Sequence, residues 1–203
     1  MKCLAIDTSG KHLTVAIING EKDFVRFIKD DKVKHSENLM PTVEALLNES
    51  GLTLSDLDFI ACVAGAGSFT GIRIGISTVK ALCFAVKKPY LSITSFDTLA
   101  YNNEKGKVMA VINAGHGGFY ACGYTDGKIS FPPRFIEENE LKKYSPEYRF
   151  ISDEKIDGLF TETVSVKDGL VIAVKEKAGE TSFDYDALSP LYLRKSQAEE
   201  GRP

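Results

Sequence analysis

Between Phe59 and Lys87 the chain combines an unbroken apolar run, a glycine-rich turn and a long segment with no water-loving side. Phe59 to Ala64 shows no polar alternation, so it reads as a strand buried on both faces, as in a parallel sheet. GAGSFTGIRIG, Gly65 to Gly75, comes next, and a helix is expected from about Thr70 to Lys87, stopped by Pro89. At 100° per residue, Ile72, Ile76, Val79, Cys83 and Val86 fall within about 80° of one another and form a core stripe. The opposite side holds Ile74, Ser77, Thr78, Ala81 and Ala85, and only Arg73 and Lys80 carry charge within the body. A helix on a sheet normally turns charge outward, so this one is expected to be packed on both sides. Two coverings are open: another part of the same chain, or a protein partner.

The flanking segments give this unit a setting. Lys2 to Asp7 and Leu13 to Ile18 read as strands joined by a tight segment from Ser9 to His12. Asn19-Gly20 signals a hairpin, and Phe24 to Lys29 forms a third strand. A helix follows with Ser36 as N-cap, Glu37 in its first turn and Pro41 in the tolerated early region. Leu39, Val43, Leu46 and Leu47 form its stripe, and Ser50-Gly51 stops it. Tyr90 to Ile93 is a further strand, and Phe96 to Tyr101 begins a helix. In the second half Pro132-Pro133 is expected to break a strand. Glu137 to Tyr144 reads as a helix, Tyr148 to Ile151 as a strand, Gly169 to Lys177 as helix or strand, and Ser182 to Leu188 as loop. The polar tail from Ser196 is expected to fray.

The chain also repeats itself. At an offset of 106, Ala5-Ile6-Asp7 meets Val111-Ile112-Asn113, Gly10 meets His116, Val15 meets Ala121 and Ala16 meets Cys122. Both copies read strand, glycine-containing turn, strand, then a hairpin signal (Asn19-Gly20, Asp126-Gly127). This predicts an α/β, actin-like, ribonuclease-H-like duplicated fold of two lobes with mixed sheets. Residues 1–101 would form the first lobe and 102–203 a smaller second one. Fold analogy of this kind does not fix function.

The glycine motif fails two tests for a phosphate cradle. The dinucleotide fingerprint needs a glycine where Thr70 stands, and the Walker pattern needs a lysine where Ile72 follows Gly71. A helix start still offers free N–H groups, so anion affinity and a plain tight turn both remain readings. Asp7, Thr8 and Ser9 end the first strand, where phosphate-contacting residues cluster in actin-like ATPases. Together with Gly65, Gly67 and Ser68 they are candidates for a vestigial phosphate site. The second half offers Asn113-Ala114-Gly115 there, with no acid to complete a metal-phosphate site. The histidines are His12, His35 and His116, with no pair at metal spacing. A triad of Ser36, His35 and Asp7 could be drawn, but no nucleophile elbow accompanies it. No metal and no catalytic residue are therefore expected.

Net charge is −3, with no basic stripe, which argues against unaided nucleic-acid binding. Cys3, Cys62, Cys83 and Cys122 sit in apolar stretches without a CxxC pair and read as buried reduced thiols of a reducing cytoplasm. The N-terminal apolar run is too short for a signal core, and no stretch is expected to span a membrane.

LAIDTS, HSENLMPTVEALL, AGAGSFTGIRIGISTVKAL and the terminal PLYLR together resemble the bacterial TsaB (YeaZ) family, the non-catalytic paralogues of the transferase TsaD. The resemblance runs in register over about the first hundred residues. It implies a scaffold role in making threonylcarbamoyladenosine on tRNA, at the adenosine beside the anticodon. The implied partners are a TsaD-like transferase and a TsaE-like ATPase, with a homodimer when alone and tRNA met only through the complex. No cofactor of its own is implied, and ATP or ADP would bind only in the complex. The implied partner surface joins the two helices and includes His35, Glu37, Thr70, Arg73, Ile74, Ser77, Thr78, Ala81 and Ala85. The alternative is an autonomous weak ATPase or a glycoprotease-like peptidase. Three residues depart from the family pattern: Ala66 replaces a usual proline, Asn113 an aspartate and Gly118 a glutamate. Leu39 stands where the HxxxH metal pair of TsaD would place its second histidine.

Overall fold

The computed structural model describes residues 1–29, 34–102, 106–115 and 117–194. Strands β1 (Lys2–Asp7), β2 (His12–Asn19) and β3 (Lys22–Lys29) form an antiparallel meander, with Gly20 at positive φ in its second turn. Helix α1 (His35–Ser50) leads through a 3-10 turn to β4 (Phe59–Val63), helix α2 (Phe69–Val86), β5 (Tyr90–Ile93) and helix α3 (Ser95–Ala100). β4 and β5 pair parallel to β1, giving the sheet order β3-β2-β1-β4-β5. All five residues of β4 are buried, as its unbroken apolar run requires.

The second half repeats this plan. It runs β6 (Lys107–Gly115), β7 (Gly118–Thr125), β8 (Lys128–Glu137), helix α4 (Glu138–Leu141), β9 (Arg149–Ser152), β10 (Glu162–Thr163) and helix α5 (Val166–Glu176). Its sheet order is β8-β7-β6-β9-β10, the same sequence of neighbours as in the first sheet. The β7–β8 turn has Asp126 and Gly127 both at positive φ, the backbone that an Asp-Gly hairpin signal specifies. The fold is thus the expected duplicated, actin-like α/β arrangement of two mixed sheets.

The layers interleave the two halves. α1 and α2 cover one face of the first sheet through Leu39, Val43, Leu46, Ile72, Ile76 and Val79. Its other face is covered by α5, whose Leu170, Val171, Ala173 and Val174 meet Cys3, Ala5, Ala16 and Ile18. α3 crosses in the opposite sense, packing Phe96, Leu99 and Ala100 on Val108, Ala110 and Cys122 of the second sheet. α3 and α5 therefore share the layer between the sheets. There a Cβ on Gly169 would come 1.7 Å from the Thr98 carbonyl oxygen, so only a glycine fits.

Several sequence expectations need correction. The repeat is offset by 105, not 106, along its first strand. Ile6 pairs with Val15 and Val111 with Ala121, and each pair faces the helix that follows its own meander. Asp7 therefore corresponds to Ile112 rather than Asn113, while Val15–Ala121 and Ala16–Cys122 keep the offset of 106. A one-residue difference in turn length produces this, and in a strand such a slip reverses every side chain's face. α1 begins at His35 with Lys34 as N-cap, so Ser36 lies inside the first turn and Pro41 in the second. Pro132 and Pro133 do not end β8. They fall where the β7–β8 register shifts, on the outer edge of the sheet, and an edge strand tolerates missing N–H groups. Gly169 to Glu176 lies in a helix, with Lys177 as its C-cap. α2 is long and apolar enough by composition to cross a membrane, which the sequence reading did not expect, yet here it packs on the first sheet. His116 and the tail from Ser196 lie outside the described residues.

Candidate functional site

Two surfaces carry the candidate residues: the cleft between the sheets and the outer face of α1 and α2.

β1 ends at Asp7 in the cleft, 2% exposed. Its Oδ1 accepts from the Ser9 N–H at 2.8 Å and from Ser9 Oγ at 2.6 Å. Its Oδ2 lies 3.4 Å from His12 Nε2. The other ring nitrogen of His12 lies 4.0 Å from Asp153 Oδ2, at the far wall just beyond β9. Burial alone would raise the Asp7 carboxyl, but the His12 contact and the two Ser9 bonds outweigh it and hold the group below its usual range. Burial likewise works against the His12 imidazolium, but Asp7 and then Asp153 outweigh it and raise the ring above its ordinary value. The Ser95 hydroxyl reaches Ser9 Oγ at 2.9 Å and the Ala66 carbonyl at 2.6 Å. The inner space here is about 30 Å³, with Asp7, His12, Ile112 and Asp153 in its lining. An outer cleft of about 470 Å³ adds Gly67, Ser68, Asn113 and Glu154.

The glycine turn brings α2 down onto the end of β1. A Cβ on Gly67 would lie 2.2 Å from the Ser9 carbonyl oxygen, one on Gly71 2.0 Å from that of Thr8, and one on Gly75 2.5 Å from Thr8 Oγ1. Thr8 Oγ1 donates to the Gly71 carbonyl at 2.7 Å, and the Ser68 N–H to the Ser9 carbonyl at 2.7 Å. Ser68 caps the helix, its Oγ accepting from the Gly71 N–H. Gly65 sits at φ 112°, with Leu191 and Ile72 against the space a side chain would need. Of the six vestigial phosphate candidates, Asp7, Ser9, Gly67 and Ser68 line the cleft. Thr8 and Gly65 are turned to internal contacts.

The outer face of α2 is left open by the described residues. Ala81 and Ala85 are exposed, Ile74 is half-buried, and Phe84 beside them is 75% exposed. Where α1 runs beside α2, a groove of about 470 Å³ is lined by Ser36, Leu39, Met40, Phe69, Thr70, Arg73, Ile74, Ser77 and Thr78. Five of the nine residues named for the partner surface thus share one groove, and Ala81 and Ala85 continue it along α2. Glu37 pairs with Lys34 on the exposed side of α1. His35 turns toward β2, its Nε2 3.1 Å from the His12 carbonyl, so the triad drawn with Asp7 does not form.

His12, Asp153 and Tyr192 join these surfaces without having been expected there from the sequence. His12 could have been found from hairpin register. Asp7 pairs with Thr14, and His12 lies two residues earlier on the same face of β2. Asp153 sits one residue past a four-residue strand and had no local signal.

A family model described as TsaD, tRNA N6-adenosine threonylcarbamoyltransferase, matches residues 30–143. The chain belongs to this family. Its curated relatives include TsaB proteins. That of Bacillus subtilis is 34% identical over 126 residues, covering 61% of this chain and 55% of its own length. That of Escherichia coli K12 is 32% identical over 128 residues, covering 61% and 55%. The chain thus spans about half the length of these TsaB relatives. In structure it is similar to YeaZ from Pseudomonas aeruginosa, with a TM-score of 0.76, 24% identity and coverage of 95% of this chain and 99% of that one. A further P. aeruginosa protein, described as similar to peptidase YeaZ, has a TM-score of 0.79, 24% identity and coverage of 95% and 99%. These two likenesses speak to the fold. The TsaB relatives are named for tRNA threonylcarbamoyladenosine biosynthesis, and the chain is a TsaB-like member of the TsaD family.

Proposed function

We propose that this chain is a non-catalytic scaffold subunit of tRNA threonylcarbamoyladenosine synthesis, pairing with a TsaD-like transferase through α1 and α2. One observation carries the reading. An 18-residue helix without an acidic residue leaves Ala81, Ala85 and Phe84 exposed among the described residues, with Ile74 half-buried beside them. Small residues on that face allow a partner helix to approach closely, and exposed apolar area of this kind marks an association surface. A TsaE-like ATPase would join the pair, and tRNA would be met through the transferase, since the chain's net charge of −3 offers no phosphate grip. Alone, the same face would pair with a second copy.

The cleft supports the scaffold reading over an autonomous ATPase or peptidase. Asp7 is engaged by His12 and Ser9, its counterpart in the second half is Ile112, and the glycines serve the approach of α2 to Thr8 and Ser9. Nucleotide would then enter only with the partner in place. The test is co-purification with the TsaD-like transferase of the same genome, read by mass, with Ala81→Glu as the control. A charge buried unpaired at the contact should abolish the complex. A complex of undiminished affinity would refute the assigned face. ATP or peptide turnover by the chain alone, lost on Asp7→Ala, would favour the enzyme reading.

A further inference from the structure

The terminal PLYLR segment returns to the start of α2 and fixes a single cation at the edge of the groove. The Leu191 N–H donates to the Ala64 carbonyl at 2.8 Å, which anchors the segment beside the glycine turn. The Tyr192 ring then stacks on Phe69, centroids 4.5 Å apart and planes 18° apart. Arg73 lies one helical turn after Phe69. Its guanidinium carbon sits 3.9 Å from the Phe69 centroid, and its Nε donates to Tyr192 Oη at 2.8 Å. The guanidinium is thus held from its face by one ring and from Nε by the hydroxyl of the other. A guanidinium is a planar fork that matches a carboxylate through two parallel N–H bonds.

No carboxylate of the described residues pairs with Arg73, and α2 contains no Asp or Glu. The other groove-lining residues are apolar or hydroxyl-bearing, so Arg73 is the one charge in the lining among the described residues. Further along α2 the charge is Lys80, also positive, and Lys87 and Lys88 follow its C-terminal end. Such a groove suits a helix that is apolar along its length and acidic at one end.

We propose that Tyr192 is a positioning residue that presets Arg73 to receive a carboxylate from a helix of the TsaD-like partner seated in the α1–α2 groove. This rests on the partner reading above. Holding the long arginine side chain in place before encounter removes part of the ordering cost of association. It also explains why a segment more than a hundred residues from α2 belongs to the same surface.

The test is calorimetric titration of the full chain with the TsaD-like transferase of the same genome, at about 50 mM and about 500 mM NaCl. At low salt, Arg73→Ala and Arg73→Lys should each weaken binding about tenfold or more, since a lysine cannot reproduce the stacked fork. Tyr192→Phe keeps the ring stack, loses only the hydroxyl, and should weaken binding by roughly threefold. High salt should weaken wild type toward the Arg73→Ala value and leave that variant nearly unchanged. Wild-type affinity for Arg73→Ala, with Ala81→Glu still abolishing the complex, overturns the carboxylate receptor and leaves the partner surface standing. Wild-type affinity for both variants overturns the surface as well. Wild-type affinity for Tyr192→Phe alone removes the positioning role. Arg73→Ala that dissociates the chain's own dimer but spares the transferase complex makes the occupant a second copy and overturns the proposal.

Discussion

His12 Nε2 and Asp7 Oδ2 lie 3.4 Å apart at the floor of the cleft between the two sheets, both residues buried, with Asp153 at 4.0 Å on the opposite wall. A histidine ring between two carboxylates ties the end of β1 to the second half of the chain.

The pair makes stability depend on pH, and the two groups act at different ends of the scale. His12 is raised above its ordinary 6.5, so its contribution is complete below 6.5 and lost as pH rises through the folded value. Asp7 is held below its ordinary 3.8, so its contribution is complete above 3.8 and lost as pH falls through the folded value. The stability advantage of wild type over His12→Gln should be greatest between about pH 4 and 6.5 and shrink on the alkaline side. Urea melts across pH 4 to 9 check this, and an advantage that grows with pH would contradict it.

Gly71→Ala should destabilise the fold by on the order of 3 kcal/mol, because a Cβ 2.0 Å from a backbone carbonyl can be relieved only by lifting α2 off β1. Gly179→Ala, with nothing within 4 Å of its Cβ, is the control and should stay within about 0.5 kcal/mol. Paired denaturant titrations measure both.

Gly169→Ala should be at least as damaging as Gly71→Ala, since its Cβ would meet the Thr98 carbonyl oxygen at 1.7 Å and force α5 away from α3. Leu170→Ala at the neighbouring, fully buried position should cost about 2 to 5 kcal/mol. Both variants should lower the melting temperature of the whole chain in one transition, as scanning calorimetry would record.

Ala81→Glu should melt at the wild-type temperature when both are dilute enough to be monomeric, because residue 81 is exposed in the single chain and such surface changes stay within about 0.5 kcal/mol. Its effect should fall on association alone. Calorimetry of the isolated variant beside its mass in solution separates the two.

The four cysteines should resist alkylation in the native state. Burial pushes the Cys3, Cys83 and Cys122 thiols up to about 12 and Cys62 higher still, and the thiolate is the reactive form. Iodoacetamide at pH 8 should leave all four unlabelled over minutes and label all four in guanidinium, as intact mass would show.

Local pattern carried much of this structure. The unbroken run of Phe59–Val63, the stripe of Ile72, Ile76, Val79 and Cys83, and the Asp126-Gly127 turn each encode their geometry within a few residues. Six of the groove's lining residues lie on one face of α2, a face that helical periodicity marks out in the sequence. What escaped depends on register or on distance along the chain. A single extra turn residue shifted the repeat and put Ile112 opposite Asp7. His12 belongs to the cleft because of cross-strand pairing, and Asp153 because two sheets meet. Tyr192 reaches Arg73 across 119 positions, a contact that no periodicity announces.

The exchange of α3 and α5 between the sheets has a consequence for how this molecule could have grown from a duplicated ancestor. Severed near residue 101, the first half would show Cys3, Ala5, Ile18, Phe59 and Leu91 to water, because the cover for that face is encoded some seventy positions later. The two copies have become mutual prostheses, each supplying a limb the other lacks. Each half thus depends on the other to close one face of its sheet.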